Sequence, residues 1–169
     1  VGQHRIIIFQ YDPKYAIQTV EMWRNSKERA IGQKESHSFE SHLFFLNSIL
    51  SGLYQIELAL VKERVVGMIA YNETEISQRY IHVDYQGNGI GETLLNRAKA
   101  QSNGTLTLNT FEVNKKAQRF YEKNGFKIIG RGCENEENFG YAIWMEYGRD
   151  EALFWERLTS YSVAFFKEQ

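Results

Sequence analysis

The chain has 169 residues, 43% hydrophobic and 24% charged, with a formal net charge of −1 at pH 7. Its length corresponds to about one domain, and its composition is that of an ordinary globular protein. The near-neutral charge argues against a nucleic-acid partner or an anionic membrane surface. The single cysteine, Cys133, excludes an internal disulfide and suits a reducing compartment.

Neither a membrane span nor a signal peptide is predicted. No apolar run approaches the roughly 20 residues that are needed to cross a bilayer. The apolar run after His4 and Arg5 covers only residues 6–9, which is too short for the core of a signal peptide. We therefore expect a cytoplasmic protein without a membrane partner, and we predict no metal site.

The first third of the chain is predicted to form a strand and two helices. Residues 5–10 favour a strand, and Asp12 followed by Pro13 is typical of a helix start. The apolar face of this helix ends near residue 26. Residues 29–36 are expected to form a polar loop, and Ser38 begins the second helix.

The remainder to residue 148 is predicted to alternate between strands and helices. Lys62-Glu63 is expected to be the turn of an antiparallel hairpin, because alternating apolar residues flank it. The predicted strands cover residues 54–61, 64–71, 75–83, 105–109, 126–130 and 140–147, and the helices cover residues 92–101 and the segment after Asn114. Residues 1–148 are therefore interpreted as one α/β domain.

Residues 149–169 are predicted to form an additional C-terminal helix. Phe154, Leu158, Tyr161 and Phe165 repeat at helical spacing and would form an apolar stripe. This much aromatic surface is not expected to remain in water. The helix would pack either on its own domain or against a second copy in a homodimer.

A glycine-rich turn, residues 86–91, joins a predicted strand to a predicted helix. Glycines allow close backbone approach, and a helix N-terminus attracts anions. A Walker A loop is excluded, because no Gly-Lys-Ser/Thr sequence follows. A dinucleotide fingerprint needs a parallel βαβ unit and an acidic residue about 20 residues further on, and Glu112 lies in a different context. The turn therefore predicts phosphate binding of another kind.

Two motifs resemble those of the GNAT N-acetyltransferases. Residues 86–91 read Gln-x-x-Gly-x-Gly, which is similar to the family's pyrophosphate-binding motif. Residues 114–126 resemble its Asn-x-x-Ala-x-x-Phe-Tyr-x-x-x-Gly-Phe signature. The sequence resemblance is recognisable over residues 80–126. The predicted order of strands and helices resembles that of the family over residues 5–147. This resemblance implies an α/β fold with a mixed, mostly antiparallel sheet flanked by helices, which is the GNAT-like acyl-CoA-binding fold, here with the extra C-terminal helix.

The resemblance implies an N-acetyltransferase that moves an acetyl group from acetyl-CoA directly to a primary amine of a small molecule or protein. It also implies that Tyr121 protonates the departing thiolate, that the turn holds the pyrophosphate and that Asn114 contacts pantetheine. It further implies that the strand before the turn separates from its neighbour, leaving a gap in which backbone groups of Ile81 and Val83 bind pantetheine like an added strand. The full set of residues assigned to acetyl-CoA in this way is Ile81, Val83, Gln86, Gly87, Asn88, Gly89, Ile90, Gly91, Asn114 and Tyr121.

The general base is left open by the sequence. Glu73 and Glu75 sit before the central strand, where some relatives place a carboxylate, and Glu75 is the preferred candidate. His82 within that strand and a water chain are the alternatives. Two departures from the family pattern are Val83, where many members have proline, and Arg79, where an apolar residue is usual. Arg79 could bear on the acceptor.

The acceptor amine is not fixed by the fold. An acidic loop could attract a cationic amine, and aromatic residues could form an apolar acceptor wall. The acidic residues are Glu134, Glu136 and Glu137, and the aromatic residues are Tyr15, Trp23, Phe39 and Phe44. The alternative function is a non-catalytic acyl-CoA-binding or regulatory module on the same fold.

Overall fold

The structure, a computed structural model, describes residues 5–134 and 141–148. The predicted C-terminal helix and two residues of the acidic loop, Glu136 and Glu137, lie outside these ranges. Within these ranges, no helix has the length and the apolar character that crossing a membrane requires.

Seven strands and five α-helices form the described part of the chain. The strands are β1 (Ile7–Gln10), β2 (Gln55–Val61), β3 (Arg64–Tyr71), β4 (Glu75–Ile81), β5 (Thr105–Phe111), β6 (Phe126–Glu134) and β7 (Tyr141–Gly148). The helices are α1 (Ala16–Ile31), α2 (Phe39–Phe44), α3 (Ser51–Leu53), α4 (Ile90–Gln101) and α5 (Lys115–Lys123). A π-helical turn (Phe45–Leu50) joins α2 to α3, and 3-10 turns cover Pro13–Tyr15 and Val83–Tyr85.

The strands form one sheet in the order β1-β2-β3-β4-β5-β7-β6. The β4–β5 pair is parallel and the other neighbouring pairs are antiparallel. One face packs on α1 and the α2–α3 segment, and the other packs on α4 and α5. The predicted mixed, mostly antiparallel sheet flanked by helices is thus confirmed.

The predicted end of the first helix was wrong. The helix α1 continues to Ile31 and takes in part of the expected polar loop. The prediction followed only the apolar face, whereas the stop signal is Gly32, whose φ of 76° is left-handed. The start signals were confirmed: Asp12 accepts a hydrogen bond from Lys14 N–H at 2.9 Å, and the Ser38 hydroxyl accepts one from Ser41 N–H at 3.1 Å.

The central strand ends earlier than predicted. β4 stops at Ile81, because the His82 side chain accepts a hydrogen bond from Asp84 N–H at 3.1 Å and so begins a 3-10 turn. This local bond between a side chain and the backbone competes with the strand ladder. Val83 therefore lies outside the strand in which it was predicted.

The sheet opens between β4 and β5. These two strands pair only where Glu75 lies opposite Thr107 and Ile76 opposite Leu108. Both strands then continue without pairing to each other. A register shift in the β3–β4 ladder also leaves Ser77 without a partner on β3, and such a bulge bends the strand that carries it. The result is a gap in the middle of the sheet.

Candidate active site

A cavity of about 1290 Å³ occupies the gap between β4 and β5. On one face of the sheet its wall is formed by the glycine-rich turn and by α5. On the other face its wall is formed by α1 and the segment from α2 to Tyr54. The cavity therefore connects the two faces, and most of the residues predicted from the sequence line it.

The glycine-rich turn leaves open space in front of its backbone. Gly87 and Gly89 have φ values of +82° and +81°, in the left-handed region that favours glycine. A Cβ added at either position would meet no atom within 4 Å. Gly89 is the N-cap of α4, so the first N–H groups of that helix have no partner inside the helix. The turn can accept an anion on its exposed N–H groups.

The side chains of the turn hold it in place. Gln86 donates from Nε2 to the carbonyl of Ile81 at 3.1 Å and accepts a hydrogen bond from Lys116 Nζ at 2.7 Å. Asn88 donates to the carbonyl of Tyr85 at 3.2 Å, and it does not line the cavity. Sequence reasoning did not single out Lys116, because its position beside the turn depends on where the sheet places α5.

Every second residue of β4 directs its backbone N–H and C=O groups into the gap between β4 and β5. His82 N–H donates to the Val66 carbonyl at 2.8 Å, and Gly67 lies opposite Ile81 in the ladder. Hydrogen-bonded and non-hydrogen-bonded pairs alternate along an antiparallel ladder. The N–H and C=O of Ile81 therefore point away from β3 and into the gap. The same holds for Arg79, two residues earlier.

Hydrogen bonds within the protein limit the backbone groups of Ile81 that a ligand can use. The carbonyl of Ile81 already accepts hydrogen bonds from Ser26 Oγ at 2.9 Å and from Gln86 Nε2, so the group that remains is its N–H. Val83 lies in the 3-10 turn and does not line the cavity. Because β4 ends at Ile81, the residues with backbone facing the gap are Arg79 and Ile81, whereas the predicted pair was Ile81 and Val83.

Tyr121 lies in α5, lines the cavity and is 5% exposed. Its hydroxyl oxygen accepts a hydrogen bond from Arg79 Nε at 2.9 Å. Its ring makes edge-to-face contacts with Phe120 and Phe126, both with centroids 5.3 Å away. The phenol is therefore fixed in orientation by its ring contacts and by one hydrogen bond.

Asn114 has a structural role at the start of α5. Its Oδ1 accepts a hydrogen bond from Ala117 N–H at 3.1 Å, which confirms the predicted N-cap. The same residue also lines the cavity.

Glu75 lines the cavity at the other face of the sheet. Its Oε1 accepts a hydrogen bond from the Tyr54 hydroxyl at 2.5 Å, and Tyr54 packs against the cluster around α1, whereas Tyr121 belongs to the cluster around α4. The hydrogen bond to Glu75, together with burial, raises the pKa of Tyr54. The two predicted catalytic residues therefore face the gap from opposite sides.

His82 is held away from the cavity. Its Nε2 lies 2.9 Å from Arg64 Nη2, its Nδ1 holds the 3-10 turn, and its ring contacts Tyr85 at 5.5 Å. Burial and the Arg64 charge lower the pKa of His82. Among the described residues that line the cavity, His82 does not occur, and this environment favours Glu75 over His82 as the general base.

The face around α1 provides an aromatic wall. Trp23 is 3% exposed and packs edge-on against His42, with centroids 4.2 Å apart. Burial is the main cause that lowers the pKa of His42 to about 4, so this imidazole is neutral at pH 7. Of the four aromatic residues that were predicted for an acceptor wall, Trp23 and Phe44 line the cavity, whereas Tyr15 and Phe39 do not.

Comparison with known sequences gives a family for the central part of the chain. Residues 52–128 match the Acetyltransferase (GNAT) domain. Two relatives with the name peptidyl-lysine N-acetyltransferase YjaB, from Salmonella typhimurium and Escherichia coli, are 36% and 33% identical over 70 residues. That stretch is 41% of this chain and 48% and 47% of the relatives. The chain thus spans about half the length of the curated relatives it matches.

Solved structures show the same fold at low identity. Apo YjaB from Escherichia coli superimposes with a TM-score of 0.70 at 21% identity, over 85% of this chain and 97% of that one. The PaiA N-acetyltransferase from Thermoplasma acidophilum in complex with coenzyme A gives 0.66 at 22% identity, over 85% and 99%. YncA from Salmonella typhimurium with acetyl-CoA gives 0.67 at 13%, over 86% and 95%. These similarities establish the fold.

Proposed function

We propose that this chain, whose residues 52–128 match the Acetyltransferase (GNAT) domain, transfers an acetyl group from acetyl-CoA directly to a primary amine. The observation that carries the proposal is the gap between β4 and β5, which has the glycine-rich turn at its edge and the Tyr121 hydroxyl in its wall. One cavity therefore offers an anion site and a proton donor. These are two of the requirements of acyl transfer from a thioester.

The turn of residues 86–91 would hold the pyrophosphate of acetyl-CoA on its N–H groups. This fits the open space in front of Gly87 and Gly89 and the positive end of α4. The Ile81 N–H and the Arg79 backbone would bind pantetheine as an added strand binds a sheet edge. The ammonium of Lys116 beside the turn adds a positive charge for the phosphates.

Tyr121 and Glu75 divide the proton transfers in this proposal. Tyr121 gives its hydroxyl proton to the sulfur as the carbon–sulfur bond breaks. Glu75 takes a proton from the attacking amine, directly or through water. Their positions on opposite faces of the gap support this division, because one group can then reach the sulfur while the other reaches the amine that adds to the thioester carbonyl.

Replacing Glu75 by Gln tests the assignment of the base. We expect kcat at pH 7 to fall by about a hundredfold, the usual size of a general-base contribution, with the Kd for CoA unchanged. Activity should recover at higher pH, where more of the amine is already deprotonated. Glu73→Gln is the matched control, because Glu73 does not line the cavity. Equal kcat values for Glu75→Gln and the wild type would reject Glu75 as the base.

The acceptor in this proposal is a primary amine of a small molecule or a protein, with a lysine side chain as the first candidate. The names of the two curated relatives support a lysine of a peptide. The apolar wall of Trp23 and Phe44 could contact the methylene groups of such a side chain. The single cysteine suits a reducing compartment and supports a cytoplasmic location, which cell fractionation would test.

The experiment for the whole proposal is an assay of CoA thiol release with acetyl-CoA and a set of amines. The set should contain a lysine peptide, its N-ε-blocked control, a polyamine and an amino acid. We expect thiol release that depends on the amine and is matched by the mass of one added acetyl group. Binding of CoA without release for any amine would favour the acyl-CoA-binding module instead.

A further inference from the structure

Arg79 places a positive charge beside the proposed proton donor. Its Nε donates to the Tyr121 hydroxyl oxygen at 2.9 Å. Its guanidinium carbon lies over the Phe120 ring at 3.9 Å and over the Tyr121 ring at 4.9 Å. Arg79 is thus in contact with α5 on the cofactor face, and the earlier expectation that it bears on the acceptor is not supported by this position.

The fold makes room for this guanidinium at Gly91. A Cβ at Gly91 would lie 2.6 Å from Arg79 Nη1 and 3.5 Å from the Phe120 ring. No residue with a side chain fits there unless Arg79 moves. The absence of a side chain at Gly91 therefore leaves the space in which the Arg79 guanidinium lies.

The charge of Arg79 has no carboxylate partner within the described part of the chain. Within residues 5–134 and 141–148, the ion pairs engage other basic residues and none engages Arg79. A partly buried cation without a counter-charge is costly. Its hydrogen-bond partner is the neutral phenol of Tyr121, the group that would become negative when it gives up its proton.

We propose that Arg79 is a positioning residue that prepares Tyr121 to protonate the leaving thiolate. The inference rests on the proposed acetyl transfer. Because the Arg79 N–H uses one lone pair of the hydroxyl oxygen, the hydroxyl proton must point elsewhere, and the cavity is the open direction. The guanidinium then stabilises the phenolate that remains after proton donation.

The proton and electron balance of the step is complete without another reactant. The amine nitrogen forms a bond to the carbonyl carbon, and the carbon–sulfur bond breaks with its electron pair on sulfur. Sulfur takes the proton of Tyr121. The amine nitrogen loses one proton to the base, and this proton returns through water to the Tyr121 phenolate, so the products are an N-acetyl amine and CoA.

A double-mutant cycle separates this role from simple packing. Arg79→Leu should lower kcat by about tenfold to a hundredfold, as expected for loss of a charged hydrogen bond, while KM for acetyl-CoA and Kd for CoA change by less than about threefold. In the Tyr121→Phe background, Arg79→Leu should cause no further loss of kcat. Arg79→Lys should recover part of the activity, because it keeps the charge.

Arg131→Leu provides the matched control. Arg131 also lies on a strand and over a tyrosine ring, at 4.2 Å from Tyr141, but it does not line the cavity. We expect its kcat to equal that of the wild type. Thermal unfolding of each variant with and without CoA verifies that the variant is folded and binds the cofactor.

Two results would overturn the role of Arg79 while leaving the proposed function intact. The first is that Arg79→Leu lowers kcat by the same factor in the wild-type and the Tyr121→Phe backgrounds. This would mean that Arg79 acts independently of Tyr121. The second is a more than tenfold rise in Kd for CoA at unchanged kcat, which would mean that Arg79 binds phosphate. Failure of the wild type to release thiol with any amine would instead reject the proposed function, and this inference with it.

Discussion

Replacing Tyr121 by Phe is expected to lower kcat by about 10²-fold to 10⁴-fold, which is the range for loss of a general acid. The Kd for CoA should stay within about threefold of the wild type, because the mutation removes only one oxygen. The phenyl ring keeps its contacts with Phe120 and Phe126, so the fold should be unaffected. Steady-state thiol release and calorimetric CoA binding measure the two quantities separately.

Tyr147→Phe is a matched control for this substitution. Tyr147 packs against Phe126 with centroids 5.5 Å apart, close to the site, but it does not line the cavity. The Tyr147→Phe variant should retain the wild-type kcat. If Tyr121→Phe also retained wild-type kcat, another group would have to protonate the thiolate, and the assignment of the acid would be wrong.

Replacing Gly89 by Asp is expected to raise the Kd for acetyl-CoA by about a hundredfold or more, because it places a carboxylate where the helix N-terminus would hold the pyrophosphate. The new side chain meets no protein atom within 4 Å, so steric collision with the protein is not the cause. The left-handed backbone adds a strain of about 1–2 kcal/mol. Calorimetric titration with CoA measures the loss.

Two variants separate charge from strain at this position. Gly89→Asn has nearly the same size, tolerates left-handed backbone better than most residues, and carries no charge, so it should lose much less affinity. Gly104→Asp introduces the same residue at a left-handed position, φ +110°, that lies outside the cavity, and it should bind CoA normally. Normal CoA affinity of Gly89→Asp itself would be incompatible with pyrophosphate on this turn.

Elements that depend on local chemistry could be predicted from the sequence. The caps Asp12, Ser38 and Asn114 each accept a hydrogen bond from a backbone N–H two or three residues further on. The hairpin around Lys62-Glu63 follows from the apolar runs on both sides of this charged pair, which form the buried strands β2 and β3. These interactions form between near neighbours, so the residue pattern alone contains the information.

The gap itself could not be predicted from residue patterns. Its opening depends on the parallel pairing of β4 with β5 at only two positions, and these strands are separated by the whole of α4. The resemblance to a known family supplied the expectation of a gap. It placed one backbone contact at Val83, whereas β4 ends at Ile81 and Val83 lies in the 3-10 turn that follows.

The hydrogen-bond partners of Arg79 and Gln86 also could not be predicted from the sequence. Arg79 stood out as a charge in a strand position that is usually apolar, but its bond to Tyr121 spans 42 residues of chain. The bond from Lys116 to Gln86 spans 30 residues. Such pairs form only when the sheet brings α5 beside β4 and the turn, so a single sequence shows the residue but not its partner.

A thermal-shift titration of the wild-type protein with acetyl-CoA, CoA and NADH tests most directly whether the gap is an acyl-CoA site. A ligand at 100 times its Kd stabilises the folded state by about 2.7 kcal/mol, which is readily measured. We predict saturable stabilisation by acetyl-CoA and by CoA, and none by NADH at the same concentrations. Equal stabilisation by all three, or none by acetyl-CoA and CoA, would contradict a CoA site between β4 and β5.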